Sequence, residues 1–141
     1  MANQNMSVHD ALIRPLELER DSGQAHLAIY RFGDHLLHRI GLIELRQIQE
    51  DAPYLLRVRS EADELWALVE GDCTFAWVDE RDDSPTHGNT QFHTAESPTI
   101  VLAPFGVAFG VRTESTAKLI RLATHDELED ASGVTRPWPE R

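Results

Sequence analysis

Arg57 and Arg59 stand two positions apart in the stretch Leu55-Leu56-Arg57-Val58-Arg59. In an extended chain that spacing puts both guanidiniums on one face. Two forked cations side by side suit a diphosphate or a carboxylate, which each can grip through paired, charge-assisted hydrogen bonds. The structural alternative is that Glu61, Glu64 or Asp79 neutralises them. Glu64 shares its parity with Trp66 and Leu68. A carboxylate kept beside an indole and away from water is one way to build a general base, whereas a carboxylate that only balances Arg57 or Arg59 is not a base at all. Asp79 alternates with Phe75, Trp77 and Arg81, as a cavity acid would, and as a strand-ending turn residue also would. Trp66, Trp77 and Phe109 offer flat apolar faces for a sugar or a base, or ordinary core.

Other chemistry is thinner. Ser84 and Thr86 flank Pro85 and read as turn residues, because a hydroxyl nucleophile needs an adjacent base. Seven histidines are present, at 9, 26, 35, 38, 87, 93 and 125, and none forms a His-x-His pair. His35 and His38 would meet only on a helix, without a third ligand, so no metal site is expected. His87 and His93 are expected in an exposed loop, as solvated residues or as an acid or base at a rim. The single cysteine, Cys73, cannot close an internal disulfide, which points to a reducing compartment.

The elements that must hold these residues are short. The chain has 141 residues, 41% hydrophobic and 26% charged, which suits one globular domain. Its 24 acidic against 13 basic residues, net charge -11, would repel a phosphate backbone, so nucleic acid is not an expected partner. The polar start lacks the form of a secretory signal, and no run approaches the ~18 apolar residues of a membrane span, so a cytoplasmic protein with no membrane partner is expected. Short apolar runs at 25–30, 42–48, 54–58, 65–69, 74–78, 99–102, 107–111 and 118–123 are separated by turn residues such as Glu70-Gly71-Asp72 and Ser97-Pro98. Several alternate with period two, which predicts an all-β barrel or jelly roll able to hold one small ligand at its mouth. Helical spacing competes at 35–49 and 61–69, but glycine and β-branched content favours strands there.

The stretch from Gly71 through Val78-Asp79-Glu80-Arg81 to Ser84-Pro85-Thr86-His87-Gly88 resembles the centre of the nucleotide-sugar (dTDP-4-dehydrorhamnose) 3,5-epimerases of the cupin superfamily. Pro104-Phe105-Gly106-Val107-Ala108-Phe109-Gly110 is similar to their second signature. Glu64, seven positions before Gly71, resembles the glutamate of the first cupin motif, and Ile13-Arg14-Pro15-Leu16 to Gly23 looks like the start of the smaller epimerases and sugar ketoisomerases. The resemblance implies a cupin-type double-stranded β-helix with a short irregular C-terminal tail, the row of Glu64 turned inward, a homodimer, and a nucleotide-activated or other phosphorylated keto sugar as ligand. It divides the chain into an extension at 1–12, a barrel at 13–125 and an acidic, proline-containing tail at 126–141.

Several positions depart from the resembled pattern. Where metal-binding cupins place histidines before the glutamate, this chain has Arg57-Val58-Arg59-Ser60, and their third histidine falls on Phe109. A metal-free, cofactor-free cupin is therefore expected. The epimerases' histidine base falls on Ser60, their lysine on Glu64, and the strand 118–124 lacks their tyrosine. Epimerisation or isomerisation would have to use Glu64 or Asp79 as catalytic residues, with Arg57, Arg59, Trp66, Trp77 and Phe109 binding the ligand. The alternative is a non-catalytic cupin that binds a small ligand or dimerises.

Overall fold

The computed structural model describes residues 6–130 and 134–140. Twelve strands follow one another: β1 (Ile13–Pro15), β2 (Glu19–Asp21), β3 (Gln24–His26), β4 (Leu42–Gln49), β5 (Leu55–Val58), β6 (Glu64–Gly71), β7 (Cys73–Asp79), β8 (Thr90–Ala95), β9 (Thr99–Ala103), β10 (Val107–Arg112), β11 (Thr116–Ala123) and β12 (Val134–Pro137). Two five-stranded antiparallel sheets run in the orders β1-β9-β6-β11-β4 and β12-β5-β10-β7-β8, and β2 and β3 form a separate hairpin. Strands that are neighbours in space are mostly distant in sequence, which is the crossover pattern of a jelly roll. The expected all-β jelly-roll barrel is the observed fold.

Period-two alternation builds the barrel. On β6, Trp66 and Leu68 point between the sheets, into a core with Phe75, Trp77, Val101, Phe109 and Leu119. Leu65 and Ala67 point the other way and are covered, with Ile100 and Leu122, by Leu16, Tyr30, Leu36 and Leu37. Both faces of β6 are thus buried, and the strand reads as a continuous apolar run. The outer face of the second sheet buries Leu56, Ala76, Phe92 and Ala108 under Trp138. Gly71 lets the chain pass from the first sheet to the second at φ +89°, pressed against the Thr116 carbonyl, where any Cβ would clash.

The stretches with competing helical spacing are not helical: β4 takes up 42–49 of the first and β6 64–69 of the second, while 35–41, expected as strand, is neither, and the only helical turn among the described residues is the 3-10 segment Phe32–Asp34. In the run 25–30 only residues up to His26 are in a strand. His93 lies on β8, not in a loop, because Thr90–Ala95 completes the sheet beside β7. Part of the segment expected as an irregular tail is ordered: β12 pairs with β5, and Trp138 seats against Phe92. At the other end Val8 is in the core, and Met6 and His9 donate backbone N–H groups to Thr90 O and Thr86 Oγ1.

Candidate functional site

A cavity of about 280 Å³ lies between the sheets, walled by Arg46 and Ile48 of β4, Leu55 and Arg57 of β5, Arg59 just beyond it, Glu64 and Trp66 of β6, and Phe109 to Val111 of β10. Strand alternation explains the wall. Leu55, Arg57 and Arg59 face the cavity, while Leu56 and Val58 pack outward against Phe92 and Trp138. Arg57 is exposed and Arg59 buried. Trp66 and Phe109 meet at 5.7 Å between ring centroids.

Glu64 is buried at the start of β6 and ion-pairs through Oε2 with Nε of Arg121, a β11 residue only 1% exposed. Arg121 Nη1 also donates to Glu44 Oε1 at 2.9 Å and lies 3.3 Å from Glu127 Oε1. Arg59 donates Nη1 and Nη2 to the two oxygens of Glu127, at 2.8 and 3.1 Å. Arg46 closes the chain at Glu44, 2.9 Å away. Partial burial works against the charge of Glu127, yet the hydrogen bonds and field of Arg59 hold its carboxyl below the usual glutamate range. Two buried donors in the cavity wall make no hydrogen bond among the described residues: Arg59 Nε, which lies in ion-pair range of Glu64 Oε2 at 3.8 Å, and Trp66 Nε1. Buried unpaired donors are uncommon and costly, and an acceptor supplied by a ligand would satisfy them.

The seven residues singled out in the sequence divide. Arg57, Arg59, Glu64, Trp66 and Phe109 share the cavity wall. Trp77 does not; it is fully buried, donates its indole N–H to Leu102 O at 3.0 Å and supports Phe109 from behind at 5.5 Å. Asp79 lies outside the wall as well, and accepts from Arg81, Ser84 and Thr86 to fix the 79–88 turn. Arg121, Glu44, Arg46 and Glu127 were not singled out. Arg121 has a readable signal, since it shares its parity with the core residue Leu119. Glu127 has none, because its partner is 68 residues away.

Among the described residues the wall holds neither histidine nor tyrosine. Ser60, where the resemblance puts a histidine base, donates instead to Asp130 Oδ1 at 3.0 Å. Phe109, at the place of the third cupin histidine, is packed by Phe75, Trp66 and Trp77. Among the described residues no group of three His, Cys, Asp or Glu side chains is placed to hold a metal, and no helix is long and apolar enough to cross a membrane. A larger cleft of about 610 Å³ lies on the outer face of the second sheet beside Trp138, but two of its threonines are already satisfied, Thr74 by Thr94 and Thr113 by Asp72 O.

Solved structures share this architecture. A dTDP sugar isomerase from Desulfovibrio desulfuricans G20 matches with a TM-score of 0.75 at 19% identity, over 94% of this chain and 85% of that one. The dTDP-6-deoxy-D-glucose-3,5-epimerase RmlC of Legionella pneumophila, solved with dTDP-4-keto-L-rhamnose, matches with a TM-score of 0.71 at 16% identity, over 86% and 70% of the two chains. The TDP-quinovose 3,4-ketoisomerase WlaRB of Campylobacter jejuni gives 0.68 at 14%, over 87% and 92%. At these identities the likeness establishes the fold, the cupin barrel of the sugar epimerases and ketoisomerases. No protein-family model and no curated protein matches the chain.

Proposed function

We propose that this chain is an epimerase-like cupin whose cavity binds a nucleotide-activated or phosphorylated keto sugar. The observation that carries the reading is the wall itself: Arg57 and Arg59 on one face, next to Trp66 and Phe109, with two buried donors that make no hydrogen bond among the described residues. Arg57 is free to grip a phosphate group from the open side. The indole and phenyl faces suit the apolar plane of a sugar or base, and Arg59 Nε and Trp66 Nε1 suit a ring carbonyl or hydroxyl oxygen. The similar solved structures support this ligand class, since two were solved with dTDP-sugars and one with dTDP.

Among the described residues Glu64 is the wall's one carboxylate, and it is the candidate to move a proton beside the keto group. A second reading, binding without catalysis, is favoured by the clamp: Glu64 Oε2 is engaged by Arg121, so proton transfer at that oxygen would have to break the pair. Incubation with a 4-keto nucleotide sugar in heavy water separates the two. Deuterium incorporation by the wild type that is lost in Glu64→Gln supports the enzyme, and ligand-induced thermal stabilisation without incorporation supports the binder. Absence of both for dTDP and dTDP-sugars refutes the proposal.

A further inference from the structure

One carboxylate of the chain stands where a ligand's anion would stand. Glu127 follows β11 on a short turn, and its side chain is 56% exposed, whereas the guanidiniums it meets, those of Arg59 and Arg121, are 9% and 2% exposed. Arg59 grips both of its oxygens with Nη1 and Nη2, the paired geometry in which a guanidinium holds a carboxylate or a phosphate. Against the cost of partial burial, those hydrogen bonds and the charges of Arg59, Arg121 and Arg57 keep the carboxyl below the usual glutamate range. Arg57 and Arg59 are the same two cavity arginines that a phosphate group would have to meet.

We infer that Glu127 is a built-in stand-in for the ligand's anion, displaced from Arg59 and Arg121 by a phosphate group as the ligand enters the cavity. The inference rests on the reading that the cavity binds a nucleotide-activated or phosphorylated sugar. Charge and exposure decide which carboxylate leaves. Arg46, Arg59 and Arg121 are balanced by Glu44, Glu64 and Glu127, so the cluster is neutral only with all three carboxylates in place. Glu64 and Glu44 sit on strands and are 6% and 33% exposed. Glu127 belongs to no strand and has water on its open side to receive it. Each phosphate of a nucleotide sugar carries one negative charge, and one of them in place of Glu127 restores neutrality. The other meets the exposed Arg57, which makes no ion pair among the described residues.

The exchange asks for a side-chain rotation and no refolding, because the turn that carries Glu127 is pinned on both sides. Asp126 Oδ1 accepts the N–H groups of Leu128 and Glu129 at 2.9 and 3.0 Å. Asp130, 3% exposed, accepts from the Ser60 hydroxyl and from the N–H groups of Glu61 and Ala62. Released from Arg59, the Glu127 side chain swings into solvent beside Leu128, which is 95% exposed. An occupant already in place lowers the apparent affinity by the fraction of molecules whose fork is free. It also acts as a filter, since a neutral sugar brings no charge to exchange for it.

Carbon-detected NMR of the Glu127 carboxyl reads the exchange directly, with dTDP as the probe. In the free protein this carboxyl is expected to titrate below the usual glutamate range, and in protein saturated with dTDP to return to it; glucose is expected to leave it unchanged. Glu127→Ala is expected to bind dTDP about tenfold more tightly than the wild type. Glu61→Gln, which removes an exposed charge two residues beyond Arg59, is expected to bind as the wild type does. The NMR titration is made on the wild type, so it stands whether or not Glu127→Ala folds. Binding of dTDP with an unchanged Glu127 titration, or equal or weaker binding by a folded Glu127→Ala, overturns the inference and leaves the ligand class standing. No binding of dTDP or a dTDP-sugar by either protein overturns both.

Discussion

Replacing Asp79 by asparagine tests whether this acid serves the fold or the cavity. Its side chain is 0% exposed and accepts from Arg81 Nε at 2.9 Å, Arg81 Nη2 at 3.0 Å, and the Ser84 and Thr86 hydroxyls at 2.6 Å each. Asparagine keeps one acceptor and turns the other into a donor facing donors, leaving Arg81 with the exposed Asp10 carboxylate at 4.0 Å and the His9 carbonyl. Removing one side of a buried ion pair costs about 3–5 kcal/mol, and because Arg81 retains some access to water the lower end, about 3 kcal/mol, applies here. For a chain of this size that corresponds to a fall in Tm of roughly 10 °C. Burial alone would raise the Asp79 carboxyl, but the hydrogen bonds from Arg81, Ser84 and Thr86 outweigh it and hold the group well below the ordinary aspartate range. A lowered value in the folded state means that the stabilisation is complete above the unfolded value of about 3.9 and is lost as the pH falls through the folded one. The wild-type advantage measured by urea denaturation is therefore expected to stay level from about pH 7 to about pH 5 and to shrink below about pH 4. Ligand-induced stabilisation should survive the substitution. A difference under about 1 kcal/mol, or lost ligand response at unchanged stability, would refute the structural role and return Asp79 to the site.

Arg57→Ala removes an exposed guanidinium and should abolish thermal stabilisation by a nucleotide diphosphate sugar while changing intrinsic stability by no more than about 0.5 kcal/mol, as read by paired melting curves with and without ligand. Glu127→Gln weakens the carboxylate that occupies both terminal nitrogens of Arg59, so isothermal titration should show tighter binding of a diphosphate ligand; weaker binding would mean that Glu127 positions Arg59 instead of competing for it. Trp138→Ala strips the cover from Phe92 and should cost about 3 kcal/mol in urea unfolding. An unaffected midpoint would show that the C-terminal strand adds nothing to the barrel.

Strand alternation is legible in a single sequence because it is local, and it delivers which residues share a face. It places Arg57 with Arg59 and Glu64 with Trp66, and the structure brings all four to one cavity. It does not say how far along a strand the cavity extends. Asp79 has the inward parity of Phe75 and Trp77, yet it stands at the last position of β7, beyond the wall, where Arg81 two residues on captures it. Strand β8 escaped notice because Thr90–Ala95 presents one large apolar residue, Phe92, whose cover comes from Trp138 near the far end of the chain. The chemistry of Glu64 is hidden for the same reason. Its parity admits either a base or a counter-ion, and the decision rests with Arg121, 57 residues away on a strand that reads as apolar. What a side chain faces can be counted off the sequence, but what it meets depends on the order of strands in the sheet, here β6 beside β11 beside β4. That order sets Arg121 between Trp66 and Glu44, and so makes Glu64 part of an ion-pair chain that runs from the cavity wall to the edge strand.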